Sequence, residues 1–192
     1  MDRTVKHQRD NNIIFIGIEG GDDQISKEAK YFDIFQGEDV RFQLKVIPNK
    51  DGRSSPDQVF EHFKAQIDNE VTQEDDEYWL VVDLDRFEQH LREVAANCID
   101  ADITLAVSNP CFEFWLLLHY EDPANEFGEC RNVKPVYNQF AEADPNKSEG
   151  YRAMFKSRFQ DAIERAKDRD NPDERWPNQN GSRVYRIIER FV

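Results

Sequence analysis

Tyr78-Trp79-Leu80-Val81-Val82-Asp83-Leu84-Asp85 is an apolar run that stops on two carboxylates. A short continuous apolar stretch, without polar alternation, is the pattern of a strand covered on both faces, as in a parallel sheet. Two further runs read the same way. Ile13-Ile14-Phe15-Ile16-Gly17-Ile18 ends at Glu19-Gly20-Gly21, and Ile103-Thr104-Leu105-Ala106-Val107 leads through Ser108-Asn109-Pro110 to Glu113. Between them lie helical patterns. Ser26 to Gln36 carries Ala29, Phe32 and Phe35 on one stripe. Ser55-Pro56-Asp57-Gln58 starts a helix running to about Asn69, with Ser as N-cap, Pro at N1 and Gln at N3. Phe87 to Cys98 reads as helix, and Arg41 to Ile47 alternates as a strand. The order predicts an α/β fold with a mostly parallel sheet flanked by helices.

Asn109 and Pro110 read as N-cap and first residue of a helix from about Cys111 to Tyr120. Past it the pattern is less regular. A short helix is expected around Pro135 to Ala143, a continuous one from Tyr151 to Lys167, and a last one from Ser182. This divides the chain into an α/β core over residues 1–122 and a helical C-terminal extension over 123–192, packed on the core as one compact unit.

Sites in open α/β sheets form beyond the carboxyl ends of the strands. Glu19, Asp83, Asp85 and Glu113 all fall there, and carboxylates gathered at one edge repel one another unless a cation joins them. Each residue also has a plain structural reading. Glu19 could be an acidic residue before a glycine turn, Asp85 the N-cap of the next helix, and Glu113 a first-turn acid favoured by the helix dipole. Yet Glu113 is the lone acid in Phe112-Glu113-Phe114-Trp115-Leu116-Leu117-Leu118, where a buried charge needs a partner, and a metal is a better one than any cation nearby in sequence. The expected set is therefore Glu19, Asp83, Asp85 and Glu113 around a divalent cation, Mg2+ or Mn2+, with Glu19 as general base or acid. His119, at the end of that apolar helix, reads as a structural histidine.

The chain has 192 residues and a net charge of −14, unevenly spread. Residues 1–145 hold 14 Lys and Arg against 31 Asp and Glu, whereas residues 146–192 hold 11 against 8. The basic segment, with Arg152, Lys156, Arg183 and Arg186, is the candidate for phosphate-backbone contacts. No apolar run approaches the roughly 20 residues of a membrane span. Cys98, Cys111 and Cys130 lack C-x-x-C spacing, which argues against a disulfide framework or a zinc site and favours the cytoplasm.

A strand ending in Glu-Gly and a later strand ending in Asp-x-Asp resemble the Toprim fold. Ser108-Asn109-Pro110-Cys111-Phe112-Glu113-Phe114-Trp115-Leu116-Leu117-Leu118-His119 and Trp176-Pro177-Asn178-Gln179-Asn180-Gly181-Ser182 resemble the RloB-like proteins associated with phage resistance. The segment after Glu19 departs from that family's pattern, though Tyr31-Phe32 remains. The resemblance implies a Toprim-like, metal-dependent nuclease of a phage-defence (abortive-infection) system, acting on DNA or RNA, transfer RNA included, beside a separate ATPase. Two other readings stand beside it. One is a haloacid-dehalogenase-type phosphatase using Asp83, Asp85 and Ser108. The other is a catalytically silent partner domain of an ATPase complex.

Overall fold

The computed structural model describes residues 11–20, 26–37, 42–49, 55–84 and 88–192. Five strands form one sheet: β1 (Asn12–Ile18), β2 (Phe42–Pro48), β3 (Glu77–Asp83), β4 (Thr104–Asn109) and β5 (Gly181–Ser182), in the order β2-β1-β3-β4-β5. The first four pair in parallel, and β5 runs antiparallel to β4 with Ser108 opposite Ser182. The helices are α1 (Lys27–Phe32), α2 (Pro56–Ile67), α3 (Glu88–Asp100), α4 (Phe112–Leu118), α5 (Cys130–Ala143), α6 (Tyr151–Phe155), α7 (Phe159–Asp168) and α8 (Tyr185–Ile188).

Successive strand residues face opposite sides, so the apolar runs feed two cores. On one side Phe15, Leu80, Val82 and Val107 pack with Val59, Phe60 and Phe63 of α2 and Leu91 and Val94 of α3. On the other, Ile14, Ile16, Ile18, Trp79 and Val81 pack with α1, α4, α5, α7 and α8. Tyr31 is the hub of that second core. It is fully buried and makes ring contacts with Phe112, Trp115, His119, Phe155 and Phe159. His119 Nδ1 lies 3.0 Å from the Trp115 carbonyl, which can only accept. Nδ1 therefore carries the proton, and Nε2 accepts from the Tyr31 hydroxyl at 3.0 Å. The structural reading of His119 holds.

Several expected elements are redrawn. Cys111, not Asn109, is the N-cap of α4. The Asn109 side chain instead donates to the Pro177 carbonyl at 2.9 Å. Helix α5 begins at Cys130, with Pro135 inside it. The Tyr151 to Lys167 helix is interrupted by a 3-10 turn at Lys156–Arg158. There Arg158 turns inward to the carboxylate of Asp144, at 2.6 Å, and to the Met154 carbonyl. Ser182 opens no helix. It ends β5, held by its hydroxyl 2.8 Å from that of Ser108 and by Arg183 N–H on the Val107 carbonyl at 3.0 Å. The C-terminal segment thus supplies a strand to the sheet of the α/β core.

Cys111 and Cys130 form a disulfide, against the expectation of unpaired thiols. The two residues are 19 apart in sequence and meet because the starts of α4 and α5 pack together, which no short spacing rule detects. With two of the three cysteines bonded, cysteine usage no longer points to a reducing compartment. Cys98 stays a thiol, buried, with its pKa pushed up to about 12 by desolvation. Among the described residues no helix is long and apolar enough to cross a membrane.

Candidate functional site

The chain winds outward from β1 to β2, then returns through β3 to β4 on the other side. The reversal falls between β1 and β3, adjacent strands in the sheet. A crevice opens at such a reversal, beyond the carboxyl ends of the strands. Glu19 follows the last residue of β1, and Asp83 is the last residue of β3. Glu19 Oε1 accepts the backbone N–H of Asp83 at 2.9 Å, across the reversal.

Asp83 shares the strand face of Trp79 and Val81, the side covered by α1 and α4. Its Oδ1 accepts the first backbone N–H of α4, from Phe112, at 2.8 Å. Burial, then the charges of Glu19, Glu28 and Glu113, hold the Asp83 carboxyl well above the usual carboxylate range, against the pull of the Phe112 N–H. Three of the four sequence-predicted acids, Glu19, Asp83 and Glu113, thus converge. Asp85 lies outside the described residues.

Glu28 is a member that the sequence reading missed. Desolvation foremost, then the charge of Glu113, raise its pKa, while Ser26 and Lys27 lower it. It stands in the first turn of α1, a place any helix favours for an acid, so only the fold reveals it. Gly20 makes its placement possible. A Cβ on Gly20 would fall 2.3 Å from the Ser26 Cβ, and Ser26 caps α1 by accepting the Ala29 N–H.

Glu113 has cationic partners after all. Lys27 Nζ lies 3.0 Å and Lys134 Nζ 3.7 Å from its Oε1, and Cys130 Sγ lies 3.3 Å from its Oε2. These lysines, distant in sequence, arrive through α1 and α5, so Glu113 has partners without a metal. Among the described residues, the group of metal-ligating types whose donor atoms all lie within 4.8 Å of one another is Cys111, Glu113 and Cys130. Its sulfurs are bonded to each other, so that trio does not suit a metal. The Glu19–Asp83 pair does: its donors are hard oxygens, and the charges of Glu19, Glu28 and Glu113 all act on Asp83. Mg2+ needs only one or two carboxylates and keeps waters for the rest.

The four candidate phosphate contacts divide. Arg183 is buried, and its guanidinium bonds Asp170 at 2.9 Å and the carbonyls of Asn171, Glu174 and Arg175 at 3.0, 2.7 and 2.7 Å. It is a clamp for the loop before β5 and is withdrawn as a phosphate contact. Arg186 pairs with the same Asp170 at 2.7 Å. Burial alone would raise the Asp170 carboxyl, but hydrogen bonds from Arg183, Tyr185 and Arg186 hold it below the usual range. Arg186 thus belongs to the same structural cluster. Arg152 donates to the Ile34 carbonyl, and it and Lys156 line a depression with Phe191. Ser108, which a phosphatase would turn toward substrate, is buried with its hydroxyl on Ser182.

A family model described as RloB-like protein matches residues 14–191, nearly the whole chain. The chain belongs to the RloB-like family. Residues 14–191 contain β1 through α8 almost entire, so the match takes in both the strand-end acids and the C-terminal strand. No curated protein and no solved structure matches the chain.

Proposed function

We propose that this RloB-like protein is a Toprim-type, divalent-metal-dependent nuclease of a phage-defence system, working with a separate ATPase. The observation that carries the reading is the pairing of Glu19 with Asp83 across the sheet's reversal point, with Glu28 and Glu113 close enough to raise the Asp83 pKa. That point is where α/β sheets place their ligands.

Glu19, Asp83 and Asp85 would hold Mg2+ or Mn2+, which supplies positive charge to the scissile phosphodiester. The protein groups do the rest. The Phe112 N–H fixes Asp83 Oδ1, and Glu19 Oε1 fixes the end of β3. Lys27 brings an ammonium to the same edge, where a phosphate's charge favours it. Glu19 serves as the proton acceptor for an attacking water. Incubation of the full chain with a panel of DNA and RNA substrates plus Mn2+, with and without an ATPase encoded nearby, tests the reading. Cleavage with a metal requirement supports it; intact substrates in every arm contradict it.

One observation favours a second reading, the catalytically silent partner domain. Lys27 and Lys134 already compensate Glu113 without a metal. On that reading the chain binds the ATPase, and divalent cations leave its melting temperature unchanged.

A further inference from the structure

We infer that the cleft beside the acidic edge receives one unstacked nucleotide of a single-stranded nucleic acid. The inference rests on the nuclease reading and names the substrate form that its site would take. The cleft has a volume of about 620 Å3 and lies between α1, α5 and α6. Ligand clefts typically measure about 300–1,000 Å3. Lys27, Lys30, Tyr137, Tyr151 and Arg152 are among its walls.

Depth sorts the charges. Lys27, Tyr151 and Arg152 are half-buried, and the charged lining residues at that depth are cationic, Lys27 paired with Glu113 and Arg152 donating to the Ile34 carbonyl. The exposed rim is mixed: Lys30 and Lys147 stand with Asp33, Glu142 and Glu149, and Lys147 pairs with Glu142. A rim carrying three carboxylates repels a duplex laid flat along it, whereas a single phosphate that reaches inside meets ammonium and guanidinium. Bases of a single strand can splay out and stack on aromatic rings, which a duplex keeps covered. Tyr151 supplies such a ring. Its hydroxyl lies 3.4 Å from that of Tyr137, so the two phenols wall one side together.

Lys27 joins the cleft to the acidic edge. Its Nζ is 3.0 Å from Glu113 Oε1 and 5.0 Å from the centre of the Tyr137 ring. A strand whose phosphate reaches Asp83 and Glu19 passes that ammonium on its way to Tyr151. Gly150 forms the lip at a φ of +90° and ψ of 178°, a backbone region essentially reserved for glycine, and leaves the space beside it open.

The test is fluorescence anisotropy of short labelled single strands, DNA and RNA, and matched duplexes, in EDTA so that binding is read without cleavage. The full chain is compared with Tyr151→Ala, Tyr151→Phe and the exposed Lys30→Glu. The parent should bind single strands more tightly than duplexes. Tyr151→Ala should weaken that binding roughly tenfold or more, the size of one lost base stack, while Tyr151→Phe retains it. Lys30→Glu should weaken binding and flatten its salt dependence, and it remains informative if Tyr151→Ala fails to fold. Pocket-dependent binding without cleavage in Mn2+ would keep this inference and sink the nuclease reading. Cleavage by the parent with binding unchanged in Tyr151→Ala and Lys30→Glu would do the reverse. Equal affinity for duplex, or no nucleic acid bound at all, overturns the single-strand cleft.

Discussion

Asp83 carries more of the account than any other residue, and its cost is measurable. Its raised pKa means that the folded state binds its proton more readily than the unfolded chain does. Its charged form therefore opposes folding, and stability falls as pH rises through its folded value. Asp83→Asn should raise the melting temperature at neutral pH without divalent cations, because Oδ1 still accepts the Phe112 N–H while the repulsion from its acidic neighbours is gone. The same variant should lose the stabilisation that millimolar Mg2+ or Mn2+ gives the parent. Thermal denaturation with and without cation reads both effects. His119 acts in the opposite direction. Burial lowers its pKa to about 3, so the unfolded state binds its proton first as the solution is acidified. Stability from this residue is complete above the unfolded value of about 6.5 and is lost as pH falls below it. From pH 7 to 5 the loss should be about 2 kcal/mol. Urea titrations of the parent and His119→Phe should differ by a slope of that sign, although the variant is weaker throughout because Tyr31 loses its acceptor. At this scale Glu19, Asp83 and the structural role of His119 were legible, since strand-end acids and a histidine in an apolar run leave marks in one dimension. Glu28 and Lys27 were not, because a charged first turn looks the same whether or not it faces a site.

Among the elements, the strands were the most legible, and the reason is physical. A strand buried on both faces must be apolar at every position, and Ile13–Ile18 and Tyr78–Val82 are. Elements set by tertiary contacts were harder to read. A two-residue β5 has no periodicity, and it exists through its pairing with β4 and the Arg183 clamp. The clamp gives a prediction. Arg183→Met should cost about 3–5 kcal/mol, because it leaves Asp170 without one of its cations and several carbonyls without donors. Arg152→Met, at the cleft, should cost far less; chemical denaturation of the two variants checks the contrast. Helix α5 misled the reading because Pro is commonest in a helix's first turn, and Pro135 lies well inside. The pairing of α4 with α5 gives a simple count. Thiol titration of the denatured, unreduced protein should find one reactive cysteine, Cys98, and three after reduction. Three before reduction would remove the disulfide from the account.

At the scale of the whole molecule, the charge asymmetry and the topology meet at one edge. The acidic majority of the chain builds the sheet, whose reversal point gathers Glu19, Asp83, Glu28 and Glu113. The basic C-terminal segment is divided by the fold, with Arg183 and Arg186 spent on Asp170 and Arg152 at the wall of the cleft, donating to the Ile34 carbonyl. Net charge along the sequence marked the basic segment and could not tell a buried clamp from a surface cation. That distinction depends on burial, which appears only once α7, β5 and α8 are packed together. The alternating order of helices and strands was enough to place the acids at strand ends, and the strand order then made Glu19 and Asp83 neighbours. The most direct measurement is the rate of phosphodiester cleavage against Mn2+ concentration for the parent, Glu19→Gln and Asp83→Asn, each shown to be folded. The account predicts metal-dependent cleavage by the parent and a loss of about a hundredfold or more in both variants. Equal rates in all three proteins, or no cleavage by the parent at any Mn2+ concentration, would contradict it.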